Sequence, residues 1–197
     1  GVSGGWRISE EAFMQPLSSV ISNLKLKVSY GVLGNQSGID RYDGIQLYNF
    51  TPSGGALIDG EKVSYINTNN KIASTNRQWE RIHNYNIALE FGFFDNKLTG
   101  TVDVFMKKNN NMLIEAQYPG ILGDKAPTMN MGKFEAHGVE GTIGWTDKIG
   151  SVKYNIGGVL TYATNELVDL GTTSVISSGY NQFPQGYPIN SIFGLRY

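Results

Sequence analysis

The segment from Trp79 to Ala163 constrains the fold most, because it contains two long hairpins in which apolar and polar residues alternate. The first hairpin is HNYNIALEFGFF and KLTGTVDVFMKK around the tight turn Asp95-Asn96. Successive side chains leave a strand on opposite faces, so strict alternation predicts β-strands. Strands of soluble proteins usually run about five or six residues, whereas a tilted strand that crosses a bilayer needs about nine to eleven. The arms of both hairpins have the second, greater length.

Alternating segments on either side extend this pattern, and the connections between them are alternately short and long. Short connections fall at Asp95 and Asp147, and long ones follow Val32, Lys108 and Ala163. Outer-membrane barrels combine short periplasmic turns with long extracellular loops in this way. We therefore predict an all-β chain, an antiparallel up-and-down meander that forms part of a large transmembrane β-barrel. The predicted strands cover residues 2–8, 24–33, 82–94, 97–108, 136–146, 151–163 and 190–197.

Composition excludes several other classes of protein. The chain has 197 residues and a net charge of −1, which gives no electrostatic basis for binding nucleic acid. It has no cysteine, so disulfides and thiolate metal sites are excluded. No apolar run reaches the length of about eighteen residues that a transmembrane helix requires.

The polar faces of the predicted strands and the long loops supply the candidate functional residues. Glu90, Asp103 and Glu140 alternate with apolar neighbours, and we expect them to face an aqueous lumen. Aromatic faces stack on the apolar faces of sugars, and neighbouring amides and carboxylates orient a ligand. The loop tyrosines are therefore the ligand-binding candidates, namely Tyr42, Tyr48, Tyr65 and Tyr118.

The sequence contains no recognisable catalytic or metal-binding pattern. The two histidines, His83 and His137, each flank a predicted strand without a partner at ligand spacing. With only these two histidines at strand rims, no Ser/His/Asp set can be assigned. We predict that the chain is not an enzyme and holds neither a cofactor nor a metal.

Several segments, taken in order, resemble the SusC/RagA-type TonB-dependent outer-membrane transporters. The similarity covers GGWRISEEAF, LKLKVSYGVLGNQ, Trp79-Glu80 and NIALEFGFFDNKLTGTVDVFMKKNNNML. It continues through Asn130-Met131-Gly132, HGVEGTI and Asn165-Glu166-Leu167. The resemblance implies a segment from the middle to later part of a barrel of about twenty-two strands, without the plug domain or the final strand.

The resemblance also implies a function and a set of partners. Such proteins import oligosaccharides or peptides across the outer membrane of Gram-negative cells. They act with a SusD-type surface lipoprotein as a lid and with the TonB complex, which contacts the N-terminal part. The expected function is therefore nutrient import, with outer-membrane lipid around the apolar faces.

The residues alone leave two alternatives open. A soluble β-rich glycan-binding or adhesion module has the same alternation, with protein covering both strand faces. A surface-layer or purely structural β-protein would show no dependence on a ligand.

Overall fold

The structure is a computed structural model that describes residues 1–68, 72–116, 119, 121, 125–171, 175–178, 181–189 and 191–193. Its main element is one antiparallel sheet of six strands, in which sequential strands are neighbours except where a loop with small strands intervenes. The six strands are β1 (Val2–Arg7), β2 (Ile21–Asn35), β7 (Glu80–Phe93), β8 (Leu98–Glu115), β9 (Thr128–Ile149) and β10 (Val152–Asp169). The small loop strands are β3 (Tyr48–Thr51), β4 (Leu57–Ile58), β5 (Glu61–Lys62), β6 (Tyr65–Thr68), β11 (Val175–Ser178) and β12 (Asn181–Pro184).

The connections at one end of the sheet are two tight turns and one compact link of two short helices. Two 3₁₀ helices, Ile8–Glu10 and Ala12–Leu17, join β1 to β2. The turn from β7 to β8 holds Phe94, Asp95 and Asn96 at positive φ. Between β9 and β10 the turn is Gly150-Ser151, where the glycine supplies a φ of 62°. Within the described ranges, no helix is long and apolar enough to span a membrane.

Five of the wall strands, β2 and β7 to β10, extend further toward the long loops than the sequence pattern indicates. β8 continues to Glu115, past a register shift between Asn109 and Met112, so the predicted end at residue 108 is wrong. β9 begins at Thr128 and ends at Ile149, and β10 ends at Asp169. Beyond the apolar band the strands lose their regular alternation, as in NNNMLIE at the end of β8 and TNELVD at the end of β10, so the pattern no longer marks a strand there. Most of the strand predicted at 190–197 lies outside the described residues, and residues 191–193 have no regular structure.

The two faces of the sheet differ sharply in character. Directly paired residues share a face, and register places one apolar row across all six strands. This apolar face is open, because nine of its side chains are between 37% and 76% exposed. The exposed members are Val28, Ile87, Leu89, Val102, Val104, Val139, Ile143, Ile156 and Leu160. The opposite, polar face carries lysines, carboxylates, threonines and asparagines.

Aromatic residues limit the apolar face, and the aromatic nearest the short turns lies further toward those turns on β10 than on β1. Direct pairs across the sheet place Trp6 on β1 in register with Leu160 on β10. On β10 itself, the aromatic residue nearest the short turn is Tyr154. The six steps along the strand from Leu160 to Tyr154 span about 20 Å at about 3.3 Å per residue. Five inter-strand steps of about 4.8 Å span about 24 Å. The short-turn limit of the apolar band, taken from these two aromatics, therefore crosses the strands at a tilt of about 40°, within the range of about 35–45° for transmembrane barrels.

Ion pairs lie beyond both limits of the apolar band. At the short-turn end, the Lys97 ammonium lies 3.0 Å from the Asp147 carboxylate. The backbone N–H of Lys148 and the Lys97 side chain both lower the pKa of Asp147. At the other end, Lys133 and Asp169 pair at 2.9 Å, and the Lys133 hydrogen bond lowers the pKa of Asp169. Charged groups thus return to the apolar face only where water is available to them.

Among the glycines of β9 within the apolar band, Gly138 has the least room for an added Cβ, and this gives a testable prediction. A Cβ at this position would lie 2.8 Å from Phe105 Cζ and 3.0 Å from Ala163 Cα, with the Tyr162 carbonyl oxygen closer still. We expect Gly138→Ala to lower the free energy of unfolding by about 1–3 kcal/mol through overpacking. The measurement is the urea midpoint of the full-length protein in lipid vesicles. Gly141→Ala is the matched control, because its added Cβ meets only Leu160 O, at 3.9 Å; equal midpoints would contradict the prediction.

Candidate functional site

The three carboxylates predicted to face the lumen all lie on the polar face. Glu90 accepts a hydrogen bond of 3.0 Å from the Lys27 ammonium. Asp103 accepts one of 3.1 Å from the Asn86 amide and is the direct cross-strand partner of Glu140. Two carboxylates directly opposite each other repel. The polar face therefore has a cationic side at β2 and an acidic side across β8 and β9.

The loop between β2 and β7 builds a second candidate region at the opposite end from the short turns. A cavity of about 290 Å³ contains Tyr42, one of the four predicted ligand-binding tyrosines. Charged groups of both signs surround this ring, since Asp40, Arg41 and Asp43 also line the cavity. An aromatic face with nearby carboxylates and a guanidinium can stack on a ligand and orient its polar groups.

The other predicted tyrosines are not brought together with Tyr42 in this cavity. Tyr48 is 65% exposed on β3 and shares a hairpin face with Phe50 and Ile66. Tyr65 lies on the opposite hairpin face and packs against Gly54 and Gly55, which indicates a structural role. Tyr118 lies outside the described residues. Ligand binding by these four residues stays a prediction.

A buried ion pair fixes this loop to the wall. The Arg77 guanidinium pairs with the Asp43 carboxylate, and their side chains are 4% and 14% exposed. Arg77 Nε also donates to the Thr128 carbonyl at 3.2 Å, at the start of β9. Next to it, the Asn130 side chain accepts a 2.7 Å hydrogen bond from the Gln78 N–H and donates to the Gln78 carbonyl at 2.8 Å. The Tyr42 cavity is therefore held on a rigid support.

Glu80 explains the Trp79-Glu80 motif in structural terms. Its carboxylate accepts hydrogen bonds from the Asn35 amide (2.9 Å), the Asn109 amide (3.2 Å) and the Leu113 N–H (2.7 Å). The last two donors flank the register shift in β8. Glu80 thus holds the irregular part of β8 against β2 and β7, and its side chain is committed to the wall rather than to a ligand.

The third long loop also packs back onto the wall. Gly186 N–H donates to the Leu167 carbonyl at 2.8 Å, and Leu167 N–H donates to the Tyr187 carbonyl at 3.1 Å. Leu167 and Leu170 are fully buried, together with Ile114. The described part of the chain after β10 therefore returns alongside the free edge of that strand.

Sequence reasoning missed two groups of functional candidates. Lys25 and Lys27 lie on the polar face beside Glu90, and alternation with Leu24 and Leu26 was their available signal. The Asp43–Arg77 pair had no local signal, because its members are 34 residues apart. Among the described residues, no group of three or more histidine, aspartate or glutamate side chains is arranged to hold a metal.

An open apolar face, a charged opposite face and a tilted aromatic boundary define the wall of a transmembrane β-barrel. Residues 6–197 match the family model described as TonB dependent receptor-like, beta-barrel. The chain belongs to this family, and its fold is confirmed as antiparallel strands that form part of such a barrel.

Curated relatives agree with this assignment. The TonB-dependent receptor SusC of Bacteroides thetaiotaomicron is 29% identical over 172 residues, which cover 84% of this chain and 17% of SusC. The TonB-dependent receptor P26 of Formosa agariphila is 27% identical over 176 residues, covering 89% of this chain and 17% of that receptor. The chain therefore spans about a fifth or less of these relatives.

Solved structures give the same fold. The RagAB peptide importer matches in its open-open state with a TM-score of 0.78 and in its closed-closed state with 0.75. Each match is 24% identical in sequence and covers 94% of this chain and 20% of that one. The relatives are transporters or receptors rather than enzymes. The resemblance to SusC/RagA-type proteins inferred from the sequence is thus confirmed.

Proposed function

We propose that this chain is part of an outer-membrane importer that takes up oligosaccharides or peptides by TonB-dependent active transport. The single observation that carries the proposal is the tilted apolar band, because a wall that meets lipid on one face and charge on the other separates two aqueous compartments. Membership of the family supports nutrient import as the purpose of that wall. The polar face lines the route, and a plug from another part of the protein closes it until TonB displaces it.

The extracellular loops are the proposed capture surface. A SusD-type surface lipoprotein acts as a lid, and the substrate is held between that lid and the loops. The rigid attachment of the Tyr42 cavity supports this role, since a preorganised site loses little conformational entropy on binding. Glu90, Asp103 and Glu140 are proposed to face the lumen in the assembled barrel.

The alternative function is that of a soluble glycan-binding module. The open apolar face disfavours this alternative. A soluble protein would expose this face to water, where large contiguous apolar patches are rare. Fractionation of the full-length protein separates the two possibilities. We expect extraction only with detergent and a change of gel mobility on boiling. Release of the protein in buffer without detergent would refute the proposed import function.

Binding at the loops gives a second test. We expect Tyr42→Ala to weaken the binding of a transported oligosaccharide or peptide by about 1 kcal/mol, roughly fivefold in Kd, because a stacking face is lost. Tyr42→Phe keeps the ring and should bind almost normally. The measurement is a titration of the full-length importer with its lid protein. Unchanged affinity in Tyr42→Ala would remove this tyrosine from the site.

A further inference from the structure

The Tyr42 cavity has an apolar part and a charged part. The apolar part, which we call the aliphatic lining, consists of Ile45, Leu47, Ile72 and Ala73 from two separate stretches of the loop. Ile45 is 59% exposed and Leu47 is 45% exposed, so both side chains still have surface that a ligand can cover. Removing such surface from water is favourable, and the gain is proportional to the apolar area. The cavity therefore favours a ligand with an apolar group of its own.

The charged part of the cavity retains one free group of each sign. The Asp43 carboxylate is already engaged, because it pairs with Arg77 and accepts a hydrogen bond of 2.9 Å from the Asp40 N–H. The side chains of Asp40 and Arg41 are exposed, and within the described ranges neither has an ion pair or a hydrogen bond. A guanidinium binds a carboxylate through two parallel hydrogen bonds, and a carboxylate accepts from an ammonium or N–H group. The cavity is thus complementary to a ligand that has both a carboxylate and N–H donors.

Neutral hydrogen-bonding side chains, which orient the hydroxyls of a sugar, are scarce in this cavity. Among the described lining residues, the Tyr42 hydroxyl is the one such group. The amide of the neighbouring Gln46 is engaged with the backbone, since its oxygen accepts from the Ala73 N–H at 2.9 Å and its nitrogen donates to the Leu47 carbonyl at 3.3 Å. A tyrosine ring can stack on a sugar or on a peptide, so Tyr42 alone does not distinguish the two. The aliphatic lining and the two free charges favour the peptide.

We propose that the Tyr42 cavity binds peptides rather than oligosaccharides. An apolar side chain of the peptide contacts the aliphatic lining. Next to it, a carboxylate of the peptide pairs with Arg41, and an ammonium or N–H group pairs with Asp40. This inference rests on the import function proposed above and selects one of its two substrate classes. The cavity, at about 290 Å³, lies at the lower limit of the range of about 300–1,000 Å³ for small-molecule sites, so it holds a short stretch of the ligand.

Retention from mixtures tests the ligand class. The full-length importer with its lid protein is incubated with a size-graded set of neutral oligosaccharides and, separately, with a protease digest of one defined protein. Mass spectrometry identifies what is retained after free ligand is removed. We expect retention of peptides, enriched about tenfold in those with an apolar residue next to a carboxylate. Retention of oligosaccharides alone overturns the inference and leaves the import function standing, whereas cellular uptake of neither set refutes the import function.

Substitution of Arg41 tests the charged part of the cavity. We expect Arg41→Gln to raise the Kd of a retained acidic peptide about tenfold, because a hydrogen bond between charged groups is lost. Arg81→Gln is the matched control, because Arg81 is also exposed but lies on β7 outside the cavity lining. An unchanged Kd in Arg41→Gln, or an equal increase in Arg81→Gln, overturns the assignment of the peptide to this cavity.

The carboxylate that pairs with Arg41 comes from the C-terminus of the peptide or from an acidic side chain, and two arms of the titration distinguish these sources. One arm uses the retained peptide with an amidated C-terminus, and the other replaces its aspartate or glutamate by the corresponding amide. The source is the group whose change raises the Kd of the wild-type importer about tenfold but leaves the Kd of Arg41→Gln unchanged. If neither change weakens binding to the wild type, no carboxylate pairs with Arg41 and the proposal fails.

Substitution in the aliphatic lining tests the apolar part of the cavity. We expect Leu47→Ser to raise the Kd of the same peptide about fivefold, because apolar contact area is lost. Leu57→Ser is the matched control, since Leu57 is 68% exposed on β4 of the same loop and lies outside the cavity lining. Amide hydrogen exchange in residues 36–68 verifies that each variant keeps the fold of the loop, and Ile45→Ser replaces Leu47→Ser if it does not. A Kd that rises equally in the cavity variant and in Leu57→Ser, or in neither, overturns the proposal.

Discussion

Leu89→Arg should destabilise the protein folded in lipid vesicles by about 2–4 kcal/mol, because it places a guanidinium near the middle of the bilayer. Leu89 lies on the apolar face, is 37% exposed and pairs directly with Val102 on β8. This pair is in the row that contains Trp6 and Leu160, midway between Tyr85 and Phe93 along β7. Val102→Arg should cost a similar amount for the same reason.

Thr101→Arg is the matched control, because it precedes Val102 on the same strand and faces the polar side. It should be tolerated much better, since the added charge meets the aqueous lumen. The measurement is a guanidinium titration of the full-length protein in vesicles of a single lipid composition. Equal losses of stability in Leu89→Arg and Thr101→Arg would mean that both faces of the sheet have the same surroundings. That result would contradict a barrel wall, whose two faces meet lipid and water.

The assignment of the two faces could be made from sequence because a strand has a period of two. Once Leu89 is placed on the apolar face, Glu90 must lie on the polar face, and pairing carries that assignment to Thr101 and Thr142. Register preserves it through every strand of the wall without any knowledge of tertiary contacts. Because the register is regular, the tilt of the apolar band can be calculated once the pairing is known.

Strand ends could not be predicted in the same way. The run Asn109-Asn110-Asn111 is polar throughout, so it resembles a loop, yet Glu80 supports it within β8. Similarly, Thr146-Asp147-Lys148 resembles a turn but belongs to β9, and the turn falls at Gly150. Outside the apolar band, the strands depend on hydrogen bonds such as those of Glu80 and on the buried cluster around Ile114 and Leu167. The partners in both cases are distant in sequence.

The loop hairpins and the Tyr42 cavity lay beyond sequence reasoning for a related reason. The β3–β6 pair consists of four-residue strands, too short for alternation to distinguish from chance. The position of Tyr42 depends on Arg77, which meets Asp43 only after the loop has folded back to β9. Exposed tyrosines in a polar loop were visible as candidates, but their arrangement required the tertiary structure.

Asp43→Ala should open the loop between β2 and β7, because it leaves the Arg77 guanidinium buried without its carboxylate. Removing one partner of a buried ion pair costs about 3–5 kcal/mol. That loss should fall on the loop rather than on the wall, since the pair lies beyond the apolar band. We expect amide hydrogen exchange in residues 36–68 to accelerate by about 10²–10⁴-fold, while exchange in β7 stays unchanged.

Two further variants give this experiment its controls. Asp40→Ala removes an exposed carboxylate from the same turn and should leave exchange in the loop almost unchanged. The double variant Asp43→Leu/Arg77→Met removes both buried charges, so it should recover much of the protection. Protection that is unaffected in Asp43→Ala, or equally lost in the double variant, would contradict a stabilising role for the charge pair. Because Tyr42 lies next to this turn, substrate binding should fall and recover together with loop protection if the cavity captures the ligand.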